Sequence, residues 1–236
     1  LAKFIAMLGY KRIVLKSDGE PAIKALKDEV KRHTCVEIVN EESPVHESKS
    51  AGKCERAVQK VQEQFRAMKD GLETRLGERI QSGNPIIPWL VAHAADTINR
   101  YHVGKDGKTA YEKWKGKEFK RTSPEAGERI HFLRPGTKGK EKGEVRWYEG
   151  CFMGIKNESG EIIVGDEQGV VKARDYRQIA DPTSRWNFAA LQAMRGTPWQ
   201  PNPDTNDAEI HANVRVPRDE SVPSEFFPGQ GEDRQY

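Results

Sequence analysis

The chain has 236 residues, of which 36% are hydrophobic and 32% charged, and its formal net charge is +3. This composition leaves room for only a modest core, and no apolar run approaches the roughly 18 residues of a membrane span. Three cysteines without a Cys-x-x-Cys pair argue against a disulfide framework or a zinc site, so we expect a reduced, intracellular protein with no membrane partner and no targeting signal.

The first predicted elements are the end of a helix, a strand, a helix and a second strand. Apolar residues in 1–8 recur at helical spacing, so we expect the chain to begin inside a helix and within a domain. The apolar run 12–17 predicts a strand buried on both faces, and Asp18 follows it directly. A helix over 21–30 opens with a proline at its first turn, and 36–39 predict the second strand.

A long amphipathic helix is the clearest element of the sequence. Ser50 is its expected N-cap after a polar loop over 41–49, and Glu55 lies near its start, where the helix dipole favours a charged carboxylate. The apolar residues recur at three- and four-residue spacing and form one stripe: Ala51, Cys54, Val58, Val61, Phe65, Met68, Leu72 and Leu76. The stripe is long enough to serve a core and a partner, and the sequence does not separate these uses.

A shorter helix and a basic segment follow. We expect a helix over 89–101 whose packed side carries Trp89, Ala92, Ala95 and Ile98. Residues 104–121 interleave seven basic residues with three aromatic ones, a pattern that suits a nucleic-acid-facing linker. The alternative, which the sequence leaves open, is that the aromatic side chains pack back onto the helices: Tyr111, Trp114 and Phe119.

The C-terminal half changes to short apolar runs separated by glycine-containing turns. Five strands are predicted, at 130–133, 147–155, 161–165, 170–174 and 176–179. Five short strands in about 50 residues indicate a small barrel. Beyond residue 182 the sequence is rich in Pro, Asn and acidic residues, and we expect it to be mostly disordered.

Asp18 and Glu55 are the residues that carry chemistry in this chain. A carboxylate at a strand end and a carboxylate on a helix, with 36 residues between them, can meet in one cleft. Mg²⁺ prefers such oxygen ligands. The pair therefore suits a site that cuts or joins phosphodiesters.

Positive charge lies mainly in the first half of the chain. Residues 1–121 hold 24 Lys and Arg against 17 Asp and Glu, residues 122–180 hold ten of each, and residues 181–236 hold five against nine. Such a surplus would let a polyanion approach an acidic site, although solvation of the surface explains it equally well. The residues that we expect to bind nucleic acid are Lys49, Lys53, Arg56, Lys60, Lys113, Lys115, Lys117, Lys120 and Arg121.

Four short motifs occur in a telling order. They are Ser-Asp-Gly-Glu-Pro at 17–21, Ser-Ala-Gly-Lys-Cys-Glu-Arg at 50–56, Asn-Arg at 99–100 with Ala-Tyr-Glu-Lys-Trp at 110–114, and Arg-Trp-Tyr-Glu-Gly-Cys-Phe-Met-Gly at 146–154. With these motifs, about residues 1–180 resemble the integrase of Copia-like LTR retrotransposons, a family of the D,D(35)E superfamily.

The resemblance implies an RNase H-like catalytic core in which Asp18 and Glu55 are the second and third carboxylates and hold Mg²⁺ or Mn²⁺. The implied reaction is metal-assisted phosphoryl transfer, which trims the ends of the element's DNA and joins them to target DNA. The resemblance further implies an SH3-like domain after the core, a homo-oligomer when the protein is complete, and a place in the nucleus during integration.

Three departures from the family pattern bear on activity. The two carboxylates are separated by 36 residues rather than 35, which the loop between them can absorb, and Ser-Ala-Gly stands where Gln-Asn-Gly is usual. Residues 1–17 contain no Asp or Glu, so the first carboxylate is missing. We therefore expect a fragment that binds DNA and does not cut it until an upstream Asp is restored.

Together these features predict an α/β chain in three parts. Residues 1–121 would be the C-terminal part of an RNase H-like core, 122–182 an SH3-like β-barrel that binds DNA, and 183–236 a mostly disordered tail. Two alternative functions stay open: a non-catalytic DNA- or chromatin-binding module derived from a transposable element, and an ordinary RNase H-type nuclease.

Overall fold

A computed structural model describes residues 1–17, 19–42, 48–133, 145–205 and 208–212, without the side chains of 48–51. The fold is mixed α/β. It divides into two units: the first comprises Leu1–Gly83 and Ile87–Ala126, and the second comprises Asn84–Ile86 and the residues from Gly127 onward. None of the helices in the described ranges is long and apolar enough to cross a membrane.

The first unit opens with helix α1 (Ala2–Met7) and a β-α-β segment. This segment consists of strand β1 (Arg12–Ser17), helix α2 (Pro21–Arg32) and strand β2 (Glu37–Glu42). The two strands pair in parallel, with Ser17 opposite Glu42. Their carboxyl ends therefore lie side by side. Asp18 follows β1 in the sequence but lies outside the described residues.

Among the described residues, the core packs against one face of this two-stranded sheet. Ile13 and Leu15 pack against a small core formed by Ile5, Val30 and Ile38, whereas Val14, on the opposite face of β1, is 59% exposed. The prediction of a strand buried on both faces was wrong. The reason is that α1 and α2 supply core residues to one face of β1 only.

Helix α3 (Ser48–Leu76) has 29 residues and begins two residues before the predicted cap at Ser50. Of the described side chains in its apolar stripe, the fully covered one is Leu72 near the C-terminal end, which is 3% exposed. Further along toward the N-terminus, Phe65 is half-buried, Val58 is 56% exposed and Cys54 is exposed. Within the described part of the chain, the C-terminal half of the stripe is therefore partly to fully buried, and its N-terminal half lies mostly at the surface.

Two further helices complete the first unit. Helix α4 (Ile86–Tyr101) begins three residues earlier than predicted, and its buried face is also rotated, because Ala92 is exposed while Leu90, His93 and Ala94 are buried. Helix α5 (Ala110–Lys115) begins with a capping box between Thr109 and Glu112. It ends at Gly116, whose φ of 69° suits the left-handed C-cap.

The second unit is built on one antiparallel sheet, and the five predicted strands are confirmed within one or two residues. They pair in the order β6-β5-β4-β3-β7, and the side chains that form the core beneath them include Ile130, Phe132, Phe152, Ile162 and Val164. The strands are β3 (Arg129–Leu133), β4 (Trp147–Ile155), β5 (Ile162–Asp166), β6 (Gly169–Ala173) and β7 (Tyr176–Gln178).

Strand β4 curls this sheet. Its first half pairs with β3 and its second half pairs with β5, and the register shifts between Phe152 and Gly154. A bulge of this kind bends a strand and increases its twist. The sheet stays open, however, because no pairing between β6 and β7 is found in the described ranges. The predicted barrel is therefore present only as a curled five-stranded sheet.

The outer edge of β6 is covered by residues that the sequence assigned to a disordered tail. The N–H of Val170 donates to the carbonyl of Pro201, and the N–H of Lys172 donates to that of His211, each at 2.9 Å. A 3₁₀ turn (Thr183–Arg185) and helix α6 (Phe188–Ala193) precede this segment. The structure differs from the prediction here because an open strand edge needs hydrogen-bond partners. Residues 206–207 and 213–236 lie outside the described residues.

Candidate metal centre and nucleic-acid interface

The adjacent carboxyl ends of β1 and β2 form the edge at which the sequence predicts a metal centre. Asp18 comes directly after Ser17, the last residue of β1. The last two residues of β2, Glu41 and Glu42, add two carboxylates to the same edge. Neither was predicted from the sequence, because the second strand was expected to end at residue 39. Residues 40–42 are extended because they pair with β1, up to the pair Ser17–Glu42. This pairing joins two distant segments, so the sequence of β2 alone does not reveal it.

Three lysines hold this edge in place. The Lys16 ammonium lies 2.8 Å from Glu41 Oε1, and the Lys24 ammonium lies 3.1 Å from Glu42 Oε1. Lys27 is only 3% exposed, and its ammonium donates to the backbone carbonyl of Glu41 at 3.3 Å. Since Lys24 and Lys27 both belong to α2, this helix fixes the end of β2 at two points.

Glu55, the second predicted ligand, lies in the exposed N-terminal part of α3. It makes no hydrogen bond or ion pair with any residue that the structure describes. No group of three His, Cys, Asp or Glu residues that could hold a metal occurs among the described residues, a set that does not include Asp18. The donors at the strand edge are carboxylate oxygens, which fit Mg²⁺ or Mn²⁺ by their chemistry.

The three basic residues that flank Glu55 in the sequence lie on another side of α3. Lys53, Arg56 and Lys60 are exposed and follow one another at three- and four-residue spacing, which places them on one face of the helix. At 3.6 residues per turn, the centre of this face is about 130° around the helix axis from Glu55. The basic face and the candidate ligand therefore project from different sides of α3.

Aromatic side chains of the basic segment pack on the end of α4. The ring of Phe119 meets Tyr101 at 5.8 Å and Tyr111 at 5.3 Å, both edge to face. The buried Arg100 guanidinium lies 4.9 Å from the centre of the Phe119 ring. Trp114 in turn packs edge to face on Tyr111. These contacts confirm the alternative in which the aromatics pack onto the helices rather than serving as free stacking platforms.

The basic side chains of the same segment lie at its surface in varied settings. Lys113 hydrogen-bonds to Asp106 and lowers the pKa of that carboxyl below its usual value, and Lys120 lies 3.4 Å from Glu118. The Lys115 ammonium stacks over Trp114 at 3.8 Å. Two more residues of this segment were predicted to bind nucleic acid: Lys117, which is exposed, and Arg121, which is half-buried.

Each of the two predicted basic groups has a contact at the C-terminal end of α4. Lys60 of α3 lies 3.1 Å from the His102 ring nitrogen Nε2, and Phe119 of the basic segment contacts the neighbouring Arg100 and Tyr101. We call Lys53, Arg56, Lys60, Lys113, Lys115, Lys117 and Lys120 the basic surface of the first unit. Lys49 was also predicted to bind nucleic acid, but its side chain is not among those that the structure describes.

Comparison with protein-family models and with curated proteins gave no match to the chain. The interpretation of the adjacent carboxyl ends of β1 and β2, and of the basic surface, therefore rests on the chemistry of their residues and on the motifs in the sequence.

Proposed function

We propose that the chain is part of a DNA-joining enzyme of the retrotransposon-integrase type, in which Asp18 and Glu55 hold Mg²⁺ or Mn²⁺ for phosphoryl transfer between DNA strands. One observation carries the proposal. Asp18 follows a strand that pairs in parallel with its neighbour across an α-helical crossover, and the helix bearing an exposed Glu55 comes next in the chain. Ligands gather at the carboxyl ends of parallel strands in folds of this kind.

Within this proposal the first unit is the C-terminal part of an RNase H-like core, and the second is an SH3-like domain. The parallel β-α-β segment followed by the long helix α3 supports the first assignment. The curled sheet supports the second, because four successive strands form a meander and the fifth returns beside the first.

A second function is a DNA- or chromatin-binding module without catalysis. The basic surface favours it, since Lys60 of α3 lies beside His102 at the C-terminal end of α4 and Phe119 of the basic segment packs on the same helix end. This function needs no cation, and the Asp18→Asn and Glu55→Gln variants would bind DNA as the unaltered chain does.

The catalytic proposal is tested in a chain that carries an Asp-bearing segment ahead of Leu1. We expect this protein to nick and join duplex DNA in Mg²⁺, because the third carboxylate completes the ligand set. Asp18→Asn and Glu55→Gln should each reduce product to background, measured on labelled oligonucleotides. Glu63→Gln, which removes another exposed carboxylate from α3, is the matched control and should retain activity. Activity that survives both ligand substitutions would refute the assignment, and cleavage confined to RNA–DNA hybrids would indicate a nuclease instead.

A further inference from the structure

We propose that the second unit binds an alkylammonium group, the cation that a lysine side chain carries, in a cleft between its sheet and helix α6. The cleft has a volume of about 260 Å³. It lies entirely in the second unit, so the inference does not depend on the proposed function.

The floor of the cleft belongs to one face of the curled sheet. Arg129 of β3 and Gly165 of β5 are both paired with Cys151 of β4, and residues opposite one another in a sheet share a face. A Cβ atom placed on Gly165 would lie 2.6 Å from the Sδ atom of Met194, the residue after α6. The sheet and the helix therefore meet closely at Gly165. The small side chain of Ala190 leaves the space of the cleft beside this contact.

The thiol of Cys151 lies at this floor. The residue is only 2% exposed and lines the cleft, and its thiol makes no hydrogen bond with any residue that the structure describes. Burial raises the pKa of the thiol to about 12, while the charges of Arg129 and Asp166 shift that pKa in opposite directions. The thiol is therefore neutral at the base of the cleft, and its sulfur is an acceptor that an ammonium donor can satisfy.

Negative charge exceeds positive charge around the cleft. Its walls carry the carboxylates of Glu149, Asp166 and Glu167 against one guanidinium, that of Arg129. This guanidinium is already engaged, because it donates to the Glu149 carboxylate and to the backbone carbonyl of Ser184. The surplus of two negative charges favours a cationic ligand.

The Asp166 carboxylate is held in place before a ligand arrives. Its Oδ1 atom accepts hydrogen bonds from the backbone N–H groups of Gln168 at 2.8 Å and Gly169 at 3.2 Å. The backbone carbonyl of Asp166 accepts a third, from the N–H of Arg195 at 3.0 Å. A group that is already ordered loses little conformational freedom when it binds. Asp166 is thus suited to receive the ammonium.

The rest of the wall suits the aliphatic part of such a ligand. Ala190 and Ala193 of α6 and Tyr148 of β4 line the cleft beside the carboxylates. Lysine combines a methylene stem, which packs on apolar surface, with a compact charged head. An alkylammonium group therefore matches both parts of the wall.

The test is a titration of the isotope-labelled full chain with two amines, followed by nuclear magnetic resonance of the backbone amides. One amine is a peptide with blocked ends and a single lysine among neutral residues, and the other is butylamine. We expect saturable shifts of the Gly165 and Gln168 amides. A response to the peptide alone identifies a protein segment as the source of the group, and a response to butylamine as well shows that free amines also bind. A peptide with norleucine in place of lysine keeps the stem without the charge and should not bind.

One variant removes charge from the cleft and another fills it. Asp166→Asn keeps the Oδ1 acceptor of the turn but loses the charge, so it should weaken binding by about two- to five-fold, the effect of one solvent-exposed charge pair. Ala190→Leu should abolish binding, because the larger side chain occupies the cleft. Glu158→Gln is the matched control and should leave binding unchanged, since it removes an exposed carboxylate of the same unit that does not line the cleft.

Three results would overturn the proposal. The first is the absence of saturable shifts with either amine, or equal shifts with the norleucine peptide. The second is unchanged binding in a folded Ala190→Leu variant, because the amine would then bind outside the cleft. The third is an equal effect of Asp166→Asn and Glu158→Gln, which would indicate general attraction to acidic groups. This last comparison decides the matter if Ala190→Leu does not fold.

Discussion

His93 is a residue of the first unit whose affinity for a proton is strongly lowered by folding. It lies on the packed face of α4 with 8% of its surface exposed. Burial, with a contribution from the positive charge of Arg100, lowers its pKa from 6.5 to about 4. The imidazole is therefore neutral in the folded protein at pH values where the unfolded chain already binds a proton.

This shift predicts a loss of stability in acid. The folded-state pKa lies below the unfolded value, so stability is fully present above about pH 6.5 and falls as the pH drops toward 4. At about pH 5 the loss attributable to His93 is about 2 kcal/mol. Urea unfolding of the unaltered chain and of His93→Gln should be compared at about pH 8, where the unfolded histidine is neutral, and at about pH 5, where it is almost fully protonated. Equal pH dependence in both proteins would contradict the assignment.

Single residues also show which parts of the candidate site could be predicted from the sequence. Asp18 and Glu55 could be selected because their neighbours form recognisable motifs. Glu42 could not, because Asn40, Glu41 and Glu42 lack the apolar alternation of a strand and are extended only through pairing with β1. Their ion pairs with Lys16 and Lys24 are tertiary contacts, which a local pattern does not reveal.

At the scale of elements, the five strands of the second unit were predictable because each lies between local turn signals. The Asn157–Gly160 and Asp166–Gly169 segments interrupt apolar runs at positions where the structure places turns. The partner of an element was not predictable in the same way. The stripe of α3 specifies a helix, but how much of it is covered depends on residues distant in the sequence.

Gly150 provides a prediction for the packing of β4. A Cβ at this position would lie 2.6 Å from Val164 Cγ1 and 3.1 Å from the carbonyl oxygen of Gly165. Gly150→Ala should therefore destabilise the second unit by about 1–3 kcal/mol through overpacking, measured by thermal or urea unfolding. The control is Gly71→Ala in α3, where nothing lies within 4 Å. That variant should stabilise by about 0.5–1 kcal/mol, because alanine favours the helix. Neutral behaviour of Gly150→Ala would show that β4 is less tightly packed than described.

At the scale of the whole molecule, charge is unevenly distributed over the sequence. The surplus of Lys and Arg falls in residues 1–121, and the acidic excess falls in residues 181–236. The structure adds that this surplus includes the exposed and half-buried lysines and arginine of the basic surface, of which Lys60 lies beside His102 at the end of α4. Binding of duplex DNA by the chain as it stands should therefore be dominated by interactions with phosphates.

We expect the affinity for a labelled DNA duplex, followed by fluorescence anisotropy, to fall by at least about 100-fold between about 50 and 200 mM salt. Replacing Lys53, Arg56 and Lys60 by Gln should reduce the slope against salt by about one for each phosphate that the protein no longer neutralises. Lys3 and Lys11, which are exposed in the same unit, provide the matched control when replaced together by Gln. An affinity that is indifferent to salt would exclude the basic surface as a DNA-binding site.

The hydrogen bonds from Val170 and Lys172 to Pro201 and His211 have a practical consequence for anyone preparing the second unit alone. A protein ended near Asp181, where the composition changes, would expose the row of donors along β6. Such an edge recruits strands from neighbouring molecules, so the shortened protein is expected to self-associate and to precipitate during purification. A preparation of the second unit therefore needs the chain at least as far as His211, which lies some thirty residues beyond the last strand.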